Sequence, residues 1–139
     1  MIRFVLDTDV LTLLQHGHAK LLQRLLAAVP GEVAVTIISV EEQVSGWYSL
    51  LRKAKSNSGL AFAYQSLADL VLRLAKHQIV SFTEPAICRF DALKSQHLGV
   101  RAMDLRIAAI ALEINATVVT RNLRDFQLVP GLKCEDWSS

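Results

Sequence analysis

The chain is short of several things, and each shortage narrows the reading. Among its 139 residues there are two cysteines. Cys88 and Cys134 lie far apart and lack metal-type spacing, so neither a disulfide framework nor a zinc site is indicated. No apolar run approaches the roughly 20 residues needed to cross a bilayer. The apolar stretch from Ile2 to Leu14 is interrupted by Asp7 and Asp9, so it does not read as a signal peptide, and a cytoplasmic location is expected. Charge of one sign is also scarce. Fifteen Lys and Arg against thirteen Asp and Glu leave a net charge of +2, too little to announce a nucleic-acid binder by bulk charge. Repeats, low-complexity tracts and long linkers are absent.

What the chain does have is apolar content, 52%, which excludes a disordered chain and predicts one domain over residues 1–139 with a sizeable core. Short β-branched runs alternate with longer periodic stretches. Strands are expected at Ile2 to Leu6, Glu32 to Ile37, Ile79 to Phe82 and Thr117 to Thr120, with a short edge strand within Leu132 to Glu135. Helices are expected at Asp9 to Gln15, Ala19 to Val29, Ser39 to Lys55, Leu60 to Lys76, Glu84 to Leu98 and Met103 to Asn115. Pro85 falls in the first turn of its helix, where a missing N–H does no harm. Ser56-Asn57-Ser58-Gly59 reads as a flexible break, and Pro30-Gly31 and Pro130-Gly131 as turns. The alternation predicts an α/β fold: three layers, α/β/α, around a parallel sheet of four or five strands. In such sheets ligands bind beyond the carboxyl ends of the strands.

Acidic residues gather at those ends. Asp7 and Asp9 follow the first strand. Desolvating a carboxylate is costly, although either residue could simply cap the next helix, and Asp9 is the more natural cap. Glu41 and Glu42 follow the second strand. Ser39-Val40-Glu41-Glu42 fits a capping box, which alone would explain Glu42, and spacing does not choose between the two glutamates. Asp104 opens a helix whose Ile107, Ala108 and Ala111 share its face; an Asp there also suits the positive helix end. After the fourth strand come Thr120, Asn122 and Asp125, placed either to face one crevice or to form a turn. Carboxylates converging on one sheet end raise one another's pKa, and a hard divalent cation relieves the repulsion. Carboxylates with water suit Mg²⁺ or Mn²⁺. Such an ion activates water and stabilises the transition state of phosphodiester cleavage, one ion or two doing the work.

At these residues the chain resembles the PIN-domain nucleases, and among them the VapC-type toxins of toxin–antitoxin pairs. The resemblance is carried by Leu6-Asp7-Thr8-Asp9, by Ile38-Ser39-Val40-Glu41-Glu42 with Gly46, and by Gly99 ahead of Asp104 and Ile107-Ala108-Ala109. It continues through Val119-Thr120-Arg121-Asn122, Asp125-Phe126, Val129-Pro130-Gly131 and Glu135-Asp136-Trp137. The family's helix glutamate precedes its glycine by four residues, which selects Glu42. The resemblance implies a metal-binding core of Asp7, Glu42 and Asp104, with Asp125 as fourth acid; some members carry that acid where Asn122 stands. Thr8, Thr120 and Asn122 match polar positions that orient ligands. It further implies an Mg²⁺- or Mn²⁺-dependent endoribonuclease leaving a 5′-phosphate and a 3′-hydroxyl. RNA is then the substrate, an antitoxin protein the cognate partner, and a homodimer a common assembly.

Other residues carry less. Arg121 and Arg124 flank the expected site and are the better candidates for RNA phosphate contact; Arg101, Arg106 and the run Arg52-Lys53-Ala54-Lys55 are weaker ones. His16-Gly17-His18 reads as a surface turn rather than a metal pair. Trp47 fits an apolar helix stripe better than a base-stacking role. The apolar faces of the 39–55 and 60–76 helices serve either the core or a partner. Three alternatives are weighed against the toxin reading. A PIN-fold nuclease of RNA processing would share the site. Asp7-Thr8-Asp9 also resembles the first motif of haloacid-dehalogenase phosphatases, with Asp7 as nucleophile, but the later Gly-Asp pair is missing. A non-catalytic PIN binding module would be expected to have lost acids that this chain keeps.

Overall fold

A computed structural model describes residues Met1 to Ser139. The elements run β1 (Phe4–Leu6), α1 (Thr8–Gln15), α2 (Ala19–Ala27), β2 (Val33–Thr36), α3 (Ile37–Lys53), α4 (Asn57–Leu74), β3 (Gln78–Val80), α5 (Glu84–Ser95), α6 (Ala102–Glu113), β4 (Thr117–Val119), α7 (Leu123–Phe126) and β5 (Cys134–Glu135). All five strands pair in parallel in the order β3-β2-β1-β4-β5. The expected three-layer α/β/α arrangement is therefore present, with the fifth strand included.

Alternation along the short strands divides the interior in two. Val5 and Val118 face a core shared with α5, α6 and α7, built on Phe90, Leu105, Ile107, Ala108, Ile110 and Phe126. Leu6, Val35 and Val119 face the opposite core, with Val10, Leu11, Leu21, Leu70, Leu74 and Trp137 from α1, α2, α4 and the C-terminal segment. Ala108, Ala109 and Ala111 of α6 are fully buried and bring that helix close to the sheet. No helix is long and apolar enough to cross a membrane.

The strand order decides where a crevice opens. From β1 the chain builds outward through β2 to β3, then crosses back to place β4 and β5 on the other side. The direction reverses between β1 and β4, so the carboxyl ends of those strands border the switch-point crevice of a doubly wound sheet.

Four local expectations need correction. Helix α3 begins at Ile37, not Ser39: the Thr36 hydroxyl accepts a hydrogen bond from Ser39 N and caps it. Ser39 is therefore inside the first turn, and no capping box forms at 39–42; Ile37, expected as the last residue of the strand, opens the helix instead. Helix α1 is capped by Asp7, whose Oδ1 accepts from Val10 N at 2.8 Å, while the more natural candidate, Asp9, lies in the first turn. Ser56 caps α4, so Asn57, Ser58 and Gly59 belong to that helix rather than to a break. Residues 123–126 form the short helix α7 where only a turn was expected.

Candidate active site

The four buried polar residues of the molecule are Asp7, Thr36, Ser39 and Thr120. Asp7 follows β1, Thr36 ends β2, Ser39 lies in the first turn of α3, and Thr120 follows β4. Leu6 is in register with Val35 on one side and Val119 on the other, so Asp7, Thr36 and Thr120 sit side by side at the carboxyl end. Asp7 N also donates to Val119 O at 3.0 Å, which locks it against β4.

Asp7 is only 4% exposed. Burial pushes its carboxyl up to about 6, with the nearby charges of Asp9 and Asp104 adding to the effect; the Thr120 hydroxyl and the Val10 N–H pull the other way. Asp104, half-buried in the first turn of α6, is also raised, again mainly by burial; hydrogen bonding and charge from Arg101 oppose this, and the charges of Glu42 and Asp9 add to it.

Glu42 projects from α3 into the same cluster, whereas Glu41 is exposed. Both Glu42 oxygens are held. Thr8 Oγ1 donates to Oε1 at 2.7 Å, and Arg101 Nη1 donates to Oε2 at 2.9 Å. Because the Thr8 proton is committed to Glu42, the Ser39 hydroxyl, 2.9 Å from Thr8 Oγ1, is the donor of that pair. Arg101 Nη2 donates to Asp104 Oδ1 at 3.1 Å. One guanidinium, 59 residues from Glu42 in sequence, thus ties Glu42 to Asp104. Those two carboxylates hold its own pKa above the usual range, so it stays charged.

The fourth acid sits differently. Asn122 N donates to Thr120 Oγ1 at 2.8 Å, and Asn122 Nδ2 donates to Asp125 Oδ2 at 2.8 Å. Thr120, Asn122 and Asp125 thus form one chain of polar groups leading from Asp7 to α7. Asp9, Thr12, Leu13, Arg121 and Asn122 line an open cavity of about 470 Å³ beside it. Arg121 and Arg124 are exposed there, free to meet a ligand. Arg106 is not: it stacks over Phe90 at 5.2 Å and lies 3.1 Å from the Met103 sulfur. Arg52, Lys53 and Lys55 are solvated, the first two in the last turn of α3, where cations suit the helix dipole. His16 and Gly17 are exposed in a turn, and His18 Nδ1 caps α2 by accepting from Leu21 N. Trp47 is half-buried against the second core and meets Phe62 edge-on.

Reading the sequence missed the role of two residues. Arg101 was weighed as an RNA contact, not as a tie between two acids; its spacing of three from Asp104 was the available signal. Asp9 was weighed as a cap, but it contributes charge to the cluster.

The residues can be tested against a divalent cation. The donor set is all hard oxygen: carboxylates of Asp7, Glu42 and Asp104, supported by the hydroxyls of Thr8, Ser39 and Thr120. Ionised Asp7 lacks an adjacent positive charge, and the Glu42–Asp104 pair has drawn a cationic side chain between its members. That chemistry fits Mg²⁺ or Mn²⁺. No three acidic, histidine or cysteine side chains converge closely enough to enclose an ion by themselves, so water and a shift of Arg101 would complete the shell.

The chain is similar to known proteins in sequence and in fold. Ribonuclease VapC1 of Haemophilus influenzae is 25% identical over 142 residues, spanning 97% of this chain and 98% of its own. Ribonuclease VapC2 of Rickettsia felis is 33% identical over 79 residues, 52% of this chain and 58% of its own. Among solved structures, DNA-bound VapBC from Salmonella typhimurium superposes with a TM-score of 0.79 at 22% identity, over 99% of both chains. VapBC2 from Rickettsia felis, bound to a promoter DNA fragment, superposes at 0.75 and 24% identity, again over 99% of both. These structural likenesses show a shared fold. The model of the PIN domain matches residues 4–132, from the first residue of β1 to the approach to β5, and the chain belongs to the PIN-domain family.

Proposed function

We propose that this chain is an Mg²⁺- or Mn²⁺-dependent endoribonuclease acting as the toxin of a VapBC-type pair, with one catalytic domain over residues 1–139. The observation that carries the proposal is the excess of acid over base at the switch-point crevice. Of Asp7, Asp9, Glu42 and Asp104, only Glu42 and Asp104 are ion-paired, both to Arg101, and Asp7 is buried. Folding tolerates this imbalance where a cationic ligand offsets it. The full-length similarity to a protein named Ribonuclease VapC1 supports the choice of RNA.

Asp7, Glu42 and Asp104 would hold the ion, with Asp125 approaching through Asn122. The bound ion would supply an activated water as nucleophile and neutralise charge at the scissile phosphate. Thr8, itself accepting from Ser39, fixes the Glu42 carboxylate. Thr120 braces Asp7 and, through Asn122, orients Asp125. Arg121 and Arg124 meet flanking phosphates at the rim. The products are a 5′-phosphate and a 3′-hydroxyl.

The partner is an antitoxin protein. Helices α3 and α4 offer it Tyr48, Leu50, Phe62, Tyr64 and Leu72, large apolar side chains left exposed while Ala63, Leu70 and Leu74 are buried. A second copy of the chain and a cytoplasmic setting complete the reading.

The test is cleavage of a total RNA pool with Mg²⁺, with Mn²⁺ and with EDTA, for the wild type and Asp104→Asn. Fragments that require the ion and fall by more than about 100-fold in the variant are expected, since even the loss of a supporting residue around a metal costs 10- to 100-fold. Asp104→Asn should fold at least as stably, because a raised acid is removed. No metal-dependent difference between the two folded proteins would overturn the proposal.

A further inference from the structure

Arg101 stands in an unusual place. It occupies the N-cap position of α6, and it makes no side-chain capping bond there. The other long helices are capped by Asp7, His18, Thr36, Ser56 and Thr83. A cation at a helix N-terminus opposes the helix dipole, so helix stability does not account for it. Packing does not either: 57% of its side chain is exposed. What holds it is the pair of carboxylates, Glu42 at 2.9 Å and Asp104 at 3.1 Å. It is also the only cation ion-paired with the acids of the cluster.

We propose that Arg101 is a resident counter-ion that competes with the divalent cation for Glu42 and Asp104, so that metal binding displaces it and its presence sets the metal concentration at which the site fills. This rests on the reading of Asp7, Glu42 and Asp104 as the metal core. Two positive groups compete for the same two carboxylates: a guanidinium within hydrogen-bond distance of both repels an entering ion and occupies oxygen lone pairs that the ion would use. The displacement is feasible because exposed ion pairs are individually weak and the side chain is long and solvated. Before the ion arrives, the guanidinium keeps α3 and α6 registered against each other despite the like charges they carry. Afterwards the ion takes over that tie.

The experiment is Mn²⁺ binding to the full chain, read from the loss of the free-ion paramagnetic resonance signal, for the wild type, Arg101→Ala, Arg101→Gln and Asp104→Asn. Two neutral replacements guard against one failing to fold. Both should bind Mn²⁺ more tightly, by roughly three- to tenfold, the range expected from removing two exposed ion pairs. Their metal-free melting temperatures should fall below that of the wild type, and the rise on adding Mn²⁺ should be larger. Equal or weaker Mn²⁺ binding by both folded Arg101 variants, with binding lost in Asp104→Asn, would overturn the counter-ion role and leave the metal core standing. Mn²⁺ binding that Asp104→Asn does not change would overturn the metal core itself, and this inference with it.

Discussion

The two ends of the sheet are made from the same strands and follow opposite rules. At the amino end, Arg3 pairs with Glu32 at 3.4 Å, one charge for one charge, and both are in contact with water. Phe4 packs edge-on against Trp137 with ring centres 5.0 Å apart. Nothing there is polar and buried. At the carboxyl end, every buried polar residue of the chain is found, and of the four carboxylates Asp7, Asp9, Glu42 and Asp104 only two are ion-paired. The amino end is arranged for stability, with paired exposed charge and buried apolar surface. The carboxyl end gives up stability to hold charge ready for a ligand. That contrast supports placing the proposed site at the carboxyl end.

The comparison can be broken most directly at Asp7. Its carboxyl titrates near 6 in the folded chain against 3.8 unfolded. A raised acid binds its proton more tightly in the folded state, so the folded state loses stability as pH rises from about 4 through 6. Above that, the ionised group costs about 3 kcal/mol. In the absence of metal, Asp7→Asn should therefore stabilise the protein by up to about 3 kcal/mol at pH 7, because Asn caps a helix as well as Asp. The gain over wild type should shrink as pH falls to 4, and cleavage of RNA should drop by more than about 100-fold. Denaturant melts of both proteins across that pH range check the stability half. A stability loss on substitution would mean that Asp7 is a structural cap first.

The amino end should behave in the opposite way. Phe4→Ala should cost about 2 kcal/mol, below the 3–5 kcal/mol of a fully buried Phe, since Phe4 is half-buried. Cleavage per folded molecule and Mn²⁺ affinity should not change; a shift in either would erase the division between the two ends. Smallest of all is Arg3→Ala. An exposed pair of this kind contributes less than about 1 kcal/mol, and the melting temperature should move by only a few degrees.

Much of the fold was legible because its signals are local. The β-branched run 32–37, the apolar stripe of α4 and the buried alanines of α6 each announce an element within a dozen residues. The misread boundaries share a cause: they lie where one residue type serves two structures. Ile37-Ile38 has strand character but continues as helix because Thr36 supplies the cap. Ser56 to Gly59 has the composition of a loop, yet Ser56 caps a helix that includes the rest. At the site, the acidic residues were legible one by one as carboxylates at strand ends, and the choice of Glu42 over Glu41 needed the family's spacing. In the structure Glu42 is bonded to Thr8 and Arg101, and Glu41 is exposed.

By itself, the sequence determined the element types, the parallel sheet and the position of Asp7, Glu42 and Asp104 at strand ends or helix starts. Those features depend on periodicity, capping and short motifs, which act over a few residues. The tertiary structure decided the strand order β3-β2-β1-β4-β5, and with it the reversal beside β1 that opens the crevice. It also decided that Thr8 would hold a glutamate 34 residues away and that Arg101 would bridge Asp104 to a glutamate 59 residues before the arginine. Such contacts are set by how helices pack on a sheet and by which charges that packing forces together, and no local stretch of chain encodes them.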